Sequence, residues 1–293
     1  MGKRENPFNI FKDTKKLNIF IKIISSYNSQ GNLFETEEGP LNILRQLLSA
    51  DNKLYRKWSK LIGGKVRHLA VPNPLFKKFI NSYVLPLIKK NKCHQIAHGG
   101  ESYWSPKKSL ETLLPCKTAF SFDLKSAFDN INVDNVLRFF YNSFSGLSEE
   151  YKRDFAEFLT IISTISYNNK RVLPQGAPHS MALFNRILYN LDTILFEKSK
   201  QKNLNYIRWV DDITLGSNEE KDLKQFLGVI PLIESYAPIA QNKIFFQKNP
   251  KPIYLLGHII EKNKVFKNSK GEREKNKRKP VDYNVFFNSS NSW

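Results

Sequence analysis

Residues 208–216, RWVDDITLG, set two carboxylates side by side in an otherwise apolar and β-branched run. Tyr206, Ile207, Trp209 and Val210 before the acids, and Ile213, Thr214 and Leu215 after them, read as two short strands with Asp211-Asp212 at the tip of a tight hairpin. Asp is a common turn residue, so the plainest account of the pair is turn chemistry. A two-residue hairpin loop, however, favours Gly or Asn at its second place, to reach positive φ, and Asp-Asp serves that need poorly. Taken alone, the stretch favours a turn over an active site. The rest of the chain shifts that balance.

The chain has 293 residues, 41% hydrophobic and 13% aromatic, enough for a substantial core and two or three subdomains. Its formal net charge of +19 suits a polyanionic partner, nucleic acid before any other. Two cysteines, Cys93 and Cys116, cannot make a disulfide framework and point to a reducing compartment. The opening MGKRENPFNIF lacks the apolar core of a signal peptide, and Asn6 stands where a myristoylation signal wants Ser or Thr. No apolar run approaches the ~20 residues of a spanning helix. A soluble cytoplasmic protein with no membrane partner is expected. The positive charge is scattered over many segments and is not gathered on one amphipathic helix, which speaks against a membrane-surface protein.

Residues 1–40 read as a polar extension with one apolar patch, LNIFIKIISSY. From Pro40 the run through Ile62 has helical spacing, while Gly63-Gly64 joins two alternating stretches into a hairpin ending in KVRHLAVP. Pro74 opens a helix with Leu75, Phe76, Phe79, Ile80, Tyr83, Val84 and Leu87 on one face. TAFSFDLKSAF is a strand ending in Asp123, followed by helices over VDNVLRFFYNSF and EEYKRDFAEFLTIIS. The loop RVLPQGAPHS leads into one helix over 181–200, and the Asp-Asp hairpin follows. After it, NEEKDLKQFLGVIPLIESYA reads as helix, and KIFFQ and IYLLGHII as strands. The segment Lys262–Lys279, with nine Lys or Arg against Glu272 and Glu274, reads as mobile. Helices mixed with hairpin-forming strands, without regular βαβ alternation, indicate an α+β fold over an antiparallel sheet.

Two acidic strand ends in one sheet bring Asp123 together with Asp211 and Asp212. Like charges a few Å apart oppose joint ionisation, and divalent metal resolves the conflict. Carboxylates with water and phosphate oxygens suit Mg²⁺, and two such ions stabilise the attacking and leaving oxygens of an in-line phosphoryl displacement. Since successive strand residues face opposite ways, one of Asp211 and Asp212 is expected to be the main ligand and the other subordinate.

These residues resemble the reverse transcriptases, in particular the bacterial lineage of group II introns, retrons and defence-associated enzymes. FSFDLKSAFDNI is similar to the first palm motif, LPQGAPHSMALFN to the Gln-Gly loop and helix, and WVDD to the aromatic-x-Asp-Asp hairpin. NKIFF and LLGHII resemble the two motifs that follow, and GGKVRHLAVP the fingers hairpin that holds the triphosphate. The ordered set covers most of residues 60 to 260. A lone Asp-Asp would be weak; six matches in order are not.

The resemblance implies a right-hand polymerase with fingers over 41–118 and a palm over 119–260. A fingers segment would be inserted around 145–175, and 261–293 would form a basic tail or rudimentary thumb. It implies Asp123 and Asp211 as metal ligands with Asp212 assisting, holding two Mg²⁺, with Mn²⁺ as a substitute. Lys65 and Arg67 would meet the incoming triphosphate, where the alternative is an ordinary solvated hairpin. Gln175 and Gly176 would line the nucleotide pocket, where the alternative is a bare turn. Lys243 would donate a proton to the leaving pyrophosphate, though a surface lysine fits nearly as well. Phe128, five residues past Asp123, would lie under the sugar and leave no room for a 2′-hydroxyl, selecting deoxynucleotides; its alternative is a core ring. His98 and His258 lack partners at metal-ligand spacing and read as structural.

Several features depart from the family pattern. Trp209 replaces the usual Tyr or Phe, and Met181 stands where Pro is common. The Asn-Ala-x-x-His element of retrons has no counterpart near SLETLLPC, and few residues follow LLGHII for a thumb. The leading expectation is an RNA-directed DNA polymerase, in a bacterial genetic element or antiviral defence system. Its partners would be RNA template, DNA primer and product, and deoxynucleoside triphosphates, with a noncoding RNA, a partner protein or a second copy as further candidates. The alternatives are a template-independent or protein-primed nucleotidyltransferase of the same fold, and a catalytically silent nucleic-acid-binding scaffold.

Overall fold

The computed structural model describes residues 13–26, 54–62, 65–221 and 224–268, and the side chains of 62, 65, 66, 224 and 225 are left aside. The chain divides into two compact units, one of Met1–Cys93 with Ile131–Ile187 and one of His94–Asn130 with Leu188–Trp293.

In the first unit the apolar patch of the N-terminal extension is a helix, Thr14–Ser25, capped by Asp13, whose carboxylate accepts from the Lys15 and Lys16 N–H groups. Its Leu17, Phe20 and Ile24 are buried. The Phe20 ring lies 5.0 Å from Phe155 and 5.4 Å from Phe158 on helix Glu149–Ser163. Burying such rings, at about 1.5–3 kcal/mol each, holds this helix onto the unit.

Residues 55–62 form a strand and not the end of a helix. Tyr55–Ile62 pairs with Lys65–Pro72 through eight antiparallel residue pairs, from Tyr55 opposite Pro72 to Ile62 opposite Lys65. The long ladder overrides a weak 3.6-residue spacing, as tertiary context commonly does. Residues 40–53, expected as helix, lie outside the described residues.

The helix after Asn73 begins as expected, with the Asn73 side chain accepting from Phe76 N–H and Pro74 in the first turn. Between Ile80 and Val84 it widens into a π turn, with Leu85 N–H reaching Ile80 O, before continuing as Leu85–Lys90. The cause is local: Pro86 has no N–H for Ser82, and its ring would strike that carbonyl in a regular α turn. Of the face read from the sequence, Phe76, Phe79, Ile80, Tyr83, Val84 and Leu87 are buried, while Leu75 is half-buried. Helices Val133–Ser143 and Glu149–Ser163 stand where their periodicity put them. A hairpin unforeseen from the sequence, Ile165–Tyr167 with Lys170–Val172, precedes the Gln175-Gly176 loop.

The second unit is built on a four-stranded antiparallel sheet. Across it run Asn205–Trp209, Asp212–Ser217, Thr118–Leu124 and Ile239–Lys248. Register assigns the faces. Phe120 and Phe122 look one way and join Phe226 and Phe246, with ring centroids 5.4–6.0 Å apart. On the other side Ala119 and Ile207 pack with Leu110, Leu113, Cys116, Ile253, Leu255, Ile260 and Val265. The last four belong to a small sheet of Ile253–Leu255, His258–Glu261 and Lys264–Lys267. Lys264–Lys267 is therefore a paired strand and not part of a mobile tail, with four residues opposite His258–Glu261 and Val265 buried. Residues 269–293 lie outside the described residues.

Two expected long helices are broken. The 181–200 run divides into Ser180–Ile187 and Tyr189–Gln201 at Leu188, the boundary between the two units. Among the described residues the run after the Asp-Asp hairpin yields Lys224–Leu227 and Ile230–Glu234, interrupted at Gly228 and with Pro231 in the first turn of the latter.

Candidate active site

Register and the hairpin tip decide where the acids fall. Trp209 pairs with Asp212, so the loop residues are Val210 and Asp211. The left-handed φ that the sequence reading looked for at the second loop place falls instead on the first, Val210, at 59°. Asp212 opens the returning strand and lies directly opposite Asp123. The Leu124 N–H donates to Asp211 O at 2.8 Å, which makes 124/211 a hydrogen-bonded pair. Asp123/Asp212 is then the closer, non-hydrogen-bonded kind, about 4.5 Å between Cα atoms, with both side chains on one face. Trp209 shares that face.

On its other side Asp123 meets Ile239–Lys248. The pairing runs regularly to Phe122 opposite Ile244 and then shifts, so that Leu124 pairs with Ile239. One more regular step would set Lys243 beside Asp123, and the Lys243 ammonium forms an ion pair with Asp123 Oδ2. Asp123, Asp211, Asp212 and Lys243 are all half-exposed at the sheet end. Asp212 Oδ1 also accepts from Thr214 Oγ1 at 3.3 Å. Two carboxylates on neighbouring strands need positive charge, and Lys243 supplies it.

Among the described residues no three His, Cys, Asp or Glu side chains are grouped so as to hold a metal ion by themselves. The donor set at the sheet end is nonetheless all oxygen, which fits a hard divalent cation, and Lys243 marks a place on Asp123 where a cation is favoured. His98 is buried, its Nδ1 2.6 Å from Ser109 Oγ and its ring stacked 3.6 Å from Trp104. Burial lowers its pKa to about 4, so it is neutral at pH 7. His258 Nδ1 lies 3.0 Å from Leu256 O.

The remaining candidates divide between the units. Phe128 lies in the second, half-buried, in a turned segment where Asp129 and Asn130 N–H groups donate to Ser126 O. Arg67, Gln175 and Gly176 lie in the first, as does the backbone of Lys65, whose side chain is outside the description. Arg67 is exposed on the Lys65–Pro72 strand. The Gln175-Gly176 loop rests on that strand, with Ala70 N–H donating to Gln175 O at 2.8 Å. Gly176 has φ 102°, and a Cβ there would come within 3.2 Å of Val71 Cγ2, so the loop needs glycine for its backbone alone.

A family model described as reverse transcriptase (RNA-dependent DNA polymerase) matches residues 43–260. The chain belongs to the reverse transcriptase family. Its α+β architecture with an antiparallel palm sheet is the family's fingers-and-palm fold. Apo telomerase from Candida tropicalis aligns at TM-score 0.55 and 14% identity, over 73% of this chain and 48% of that one. Telomerase from Candida albicans, in complex with the TWJ fragment of telomeric RNA, aligns at 0.54 and 14%, over 73% and 46%. A Candida tropicalis telomerase truncated from its C-terminal domain aligns at 0.54 and 13%, over 73% and 55%. The chain spans about half the length of these structures, and at such identity the likeness is one of fold. No curated protein matches it by sequence.

Three residues near the hairpin belong to none of the motifs that point to the site. Asp192 and Arg208 are both fully buried and ion-paired at 2.6 Å, and Gly99 lies against the hairpin tip. Arg208 carried a signal, since a guanidinium in an apolar strand demands a buried anion. Nothing in the sequence said which acid answers it.

Proposed function

We propose that this reverse transcriptase is an RNA-directed DNA polymerase that extends a primer by attack of its 3′-hydroxyl on the α-phosphate of a deoxynucleoside triphosphate. The observation that carries the reading is the juxtaposition of Asp123 and Asp212 across the palm sheet end, with Asp211 in the adjoining loop and Lys243 on Asp123. Asp123, Asp211 and Asp212 would hold two Mg²⁺ ions, which when bound supply Lewis-acid stabilisation of the attacking and leaving oxygens. Lys243, now ion-paired with Asp123, would serve as the proton donor to pyrophosphate. Lys65 and Arg67 bind the triphosphate, Gln175 and Gly176 border the base and sugar, and Phe128 excludes the 2′-hydroxyl. Residues 41–118 act as fingers and 119–260 as palm, with a fingers segment inserted around 145–175.

The net charge of +19 supports binding of template and product through their phosphates. The motif set supports a bacterial genetic-element or antiviral setting in the cytoplasm, which suits a chain with two cysteines, too few for a disulfide framework. The test is extension of a DNA primer on a defined RNA template with labelled triphosphates and Mg²⁺. Templated addition of deoxynucleotides is the expected product. Untemplated tailing or a protein-linked product would replace the reading with the transferase alternatives, and no product at all with the scaffold.

A further inference from the structure

The hairpin tip holds an unfavourable conformation. In a two-residue loop with left-handed φ at its first place, the residue expected is Gly, yet Val210 stands there at φ 59°. A β-branched side chain is among the worst suited to that region, so neighbours must impose it. Two do. Arg208 is fully buried and forks onto Asp192, Nε to Oδ1 at 2.8 Å and Nη2 to Oδ2 at 2.6 Å. Its remaining arm, Nη1, donates to Val210 O at 2.8 Å. Tyr206 OH adds 2.9 Å to Asp192 Oδ1, so the acid is fixed by two residues of the hairpin's first strand. From the chain segment alongside, Gly99 presses on the tip: a Cβ there would lie 2.6 Å from both Val210 N and Cγ2. The same segment bonds the strand edge, with Arg208 N–H donating to Ile96 O at 2.9 Å and His98 N–H to Arg208 O at 2.8 Å.

We infer that Asp192, Arg208 and Gly99 are positioning residues that latch the hairpin tip, holding Val210 in its left-handed conformation so that Asp212 stands opposite Asp123, with Asp211 in the loop beside it. Strand alternation puts the Arg208 side chain on the sheet face opposite Asp123 and Asp212, so the latch touches neither nucleotide nor cation and acts through the 210–211 peptide. It explains why a charged pair is kept where apolar residues would stabilise at least as well. An apolar side chain cannot donate to the Val210 carbonyl.

The inference rests on the polymerase reading, and the test separates the two. The variant Asp192→Leu, Tyr206→Phe, Arg208→Met removes the pair together and leaves no orphaned charge. Expected are an unfolding midpoint near that of the parent, at least ~10-fold faster amide exchange over 209–213, and a kcat for nucleotide addition lowered about 10²-fold, the scale set by a misplacement of ~1 Å. KM for the triphosphate should change less than ~3-fold. Adding Val210→Gly should recover about 10-fold in kcat, because glycine holds a positive φ without support. Gly99→Ala, which leaves the ion pair intact, should reproduce the kcat loss and the exchange signature if the triple variant folds poorly. Parental exchange and kcat in either folded variant, or a fall in kcat that Val210→Gly does not repair, would overturn the latch. If the parent adds no nucleotide, the polymerase reading fails and amide exchange alone decides the latch.

Discussion

Several hairpins among the described residues turn on two residues, and two of them turn differently. In Ile165–Tyr167 with Lys170–Val172 the loop is Asn168-Asn169, both left-handed at φ 46° and 59°. Asn tolerates that region, so the loop suits a type I′ turn through its own chemistry. In the Asp-Asp hairpin the left-handed residue is Val210, which no local preference favours. The first turn is self-sufficient; the second is imposed by a buried ion pair and a glycine contact. A strained turn beside three carboxylates is where a functional site is expected to store its constraint.

If the strained turn serves chemistry, its acids matter more to rate than to stability. Asp123→Asn and Asp212→Asn should each lower single-turnover nucleotide addition by about 10³-fold or more, close to 4 kcal/mol of transition-state stabilisation. Their urea midpoints should stay near the parent's. A variant that keeps its rate would remove that residue from the site.

The support behind the turn should behave in the opposite way. Arg208→Met alone leaves the Asp192 charge buried without its partner and should cost about 3–5 kcal/mol in urea unfolding. The exposed Lys107–Glu111 pair, at 3.8 Å, should yield less than ~0.5 kcal/mol when broken. Equal losses at the two would show that Arg208 is not held as described.

Each unit also contains a buried histidine, His98 in one and His179 in the other, with pKa values that burial lowers to about 4. The folded values lie below the unfolded value near 6.5, so the unfolded chain takes up protons first as pH falls. Stability is full above about 6.5 and declines towards 4, by up to ~3 kcal/mol for each group. Thermal midpoints at pH 7 and pH 5 measure this, and His98→Gln or His179→Gln should flatten the slope. An unchanged slope in both variants would assign it elsewhere.

The smallest effect is the most pointed test of the two turns. Asn169→Val should destabilise its hairpin by about 1–2 kcal/mol, while Val210→Asn should be neutral or stabilising by up to ~1 kcal/mol. Destabilisation at both sites would mean that Val210 contributes packing that outweighs its strain.

The acids, the hairpin around them and the strand leading to Asp123 were legible because alternation and a terminal carboxylate are local signals. So were helices Val133–Ser143 and Glu149–Ser163, whose apolar spacing repeats over two turns or more. Strand Tyr55–Ile62 was read with helical spacing because its apolar residues, Tyr55, Trp58, Leu61 and Ile62, fall at helical intervals and do not alternate, and only pairing with Lys65–Pro72 makes it a strand. The Asn168-Asn169 hairpin was missed although its turn residues are characteristic, since strands of three residues carry almost no pattern. Gly99 and Asp192 left no local mark: one matters for an atom it lacks, the other for a partner sixteen positions away.

Binding of Mn²⁺ followed by electron paramagnetic resonance, with primer, template and a nonhydrolysable deoxynucleotide present, tests the central claim most directly. The account predicts two bound ions per chain in the parent, with loss of at least one in both Asp123→Asn and Asp212→Asn. Undiminished Mn²⁺ binding after either carboxylate is neutralised would contradict it.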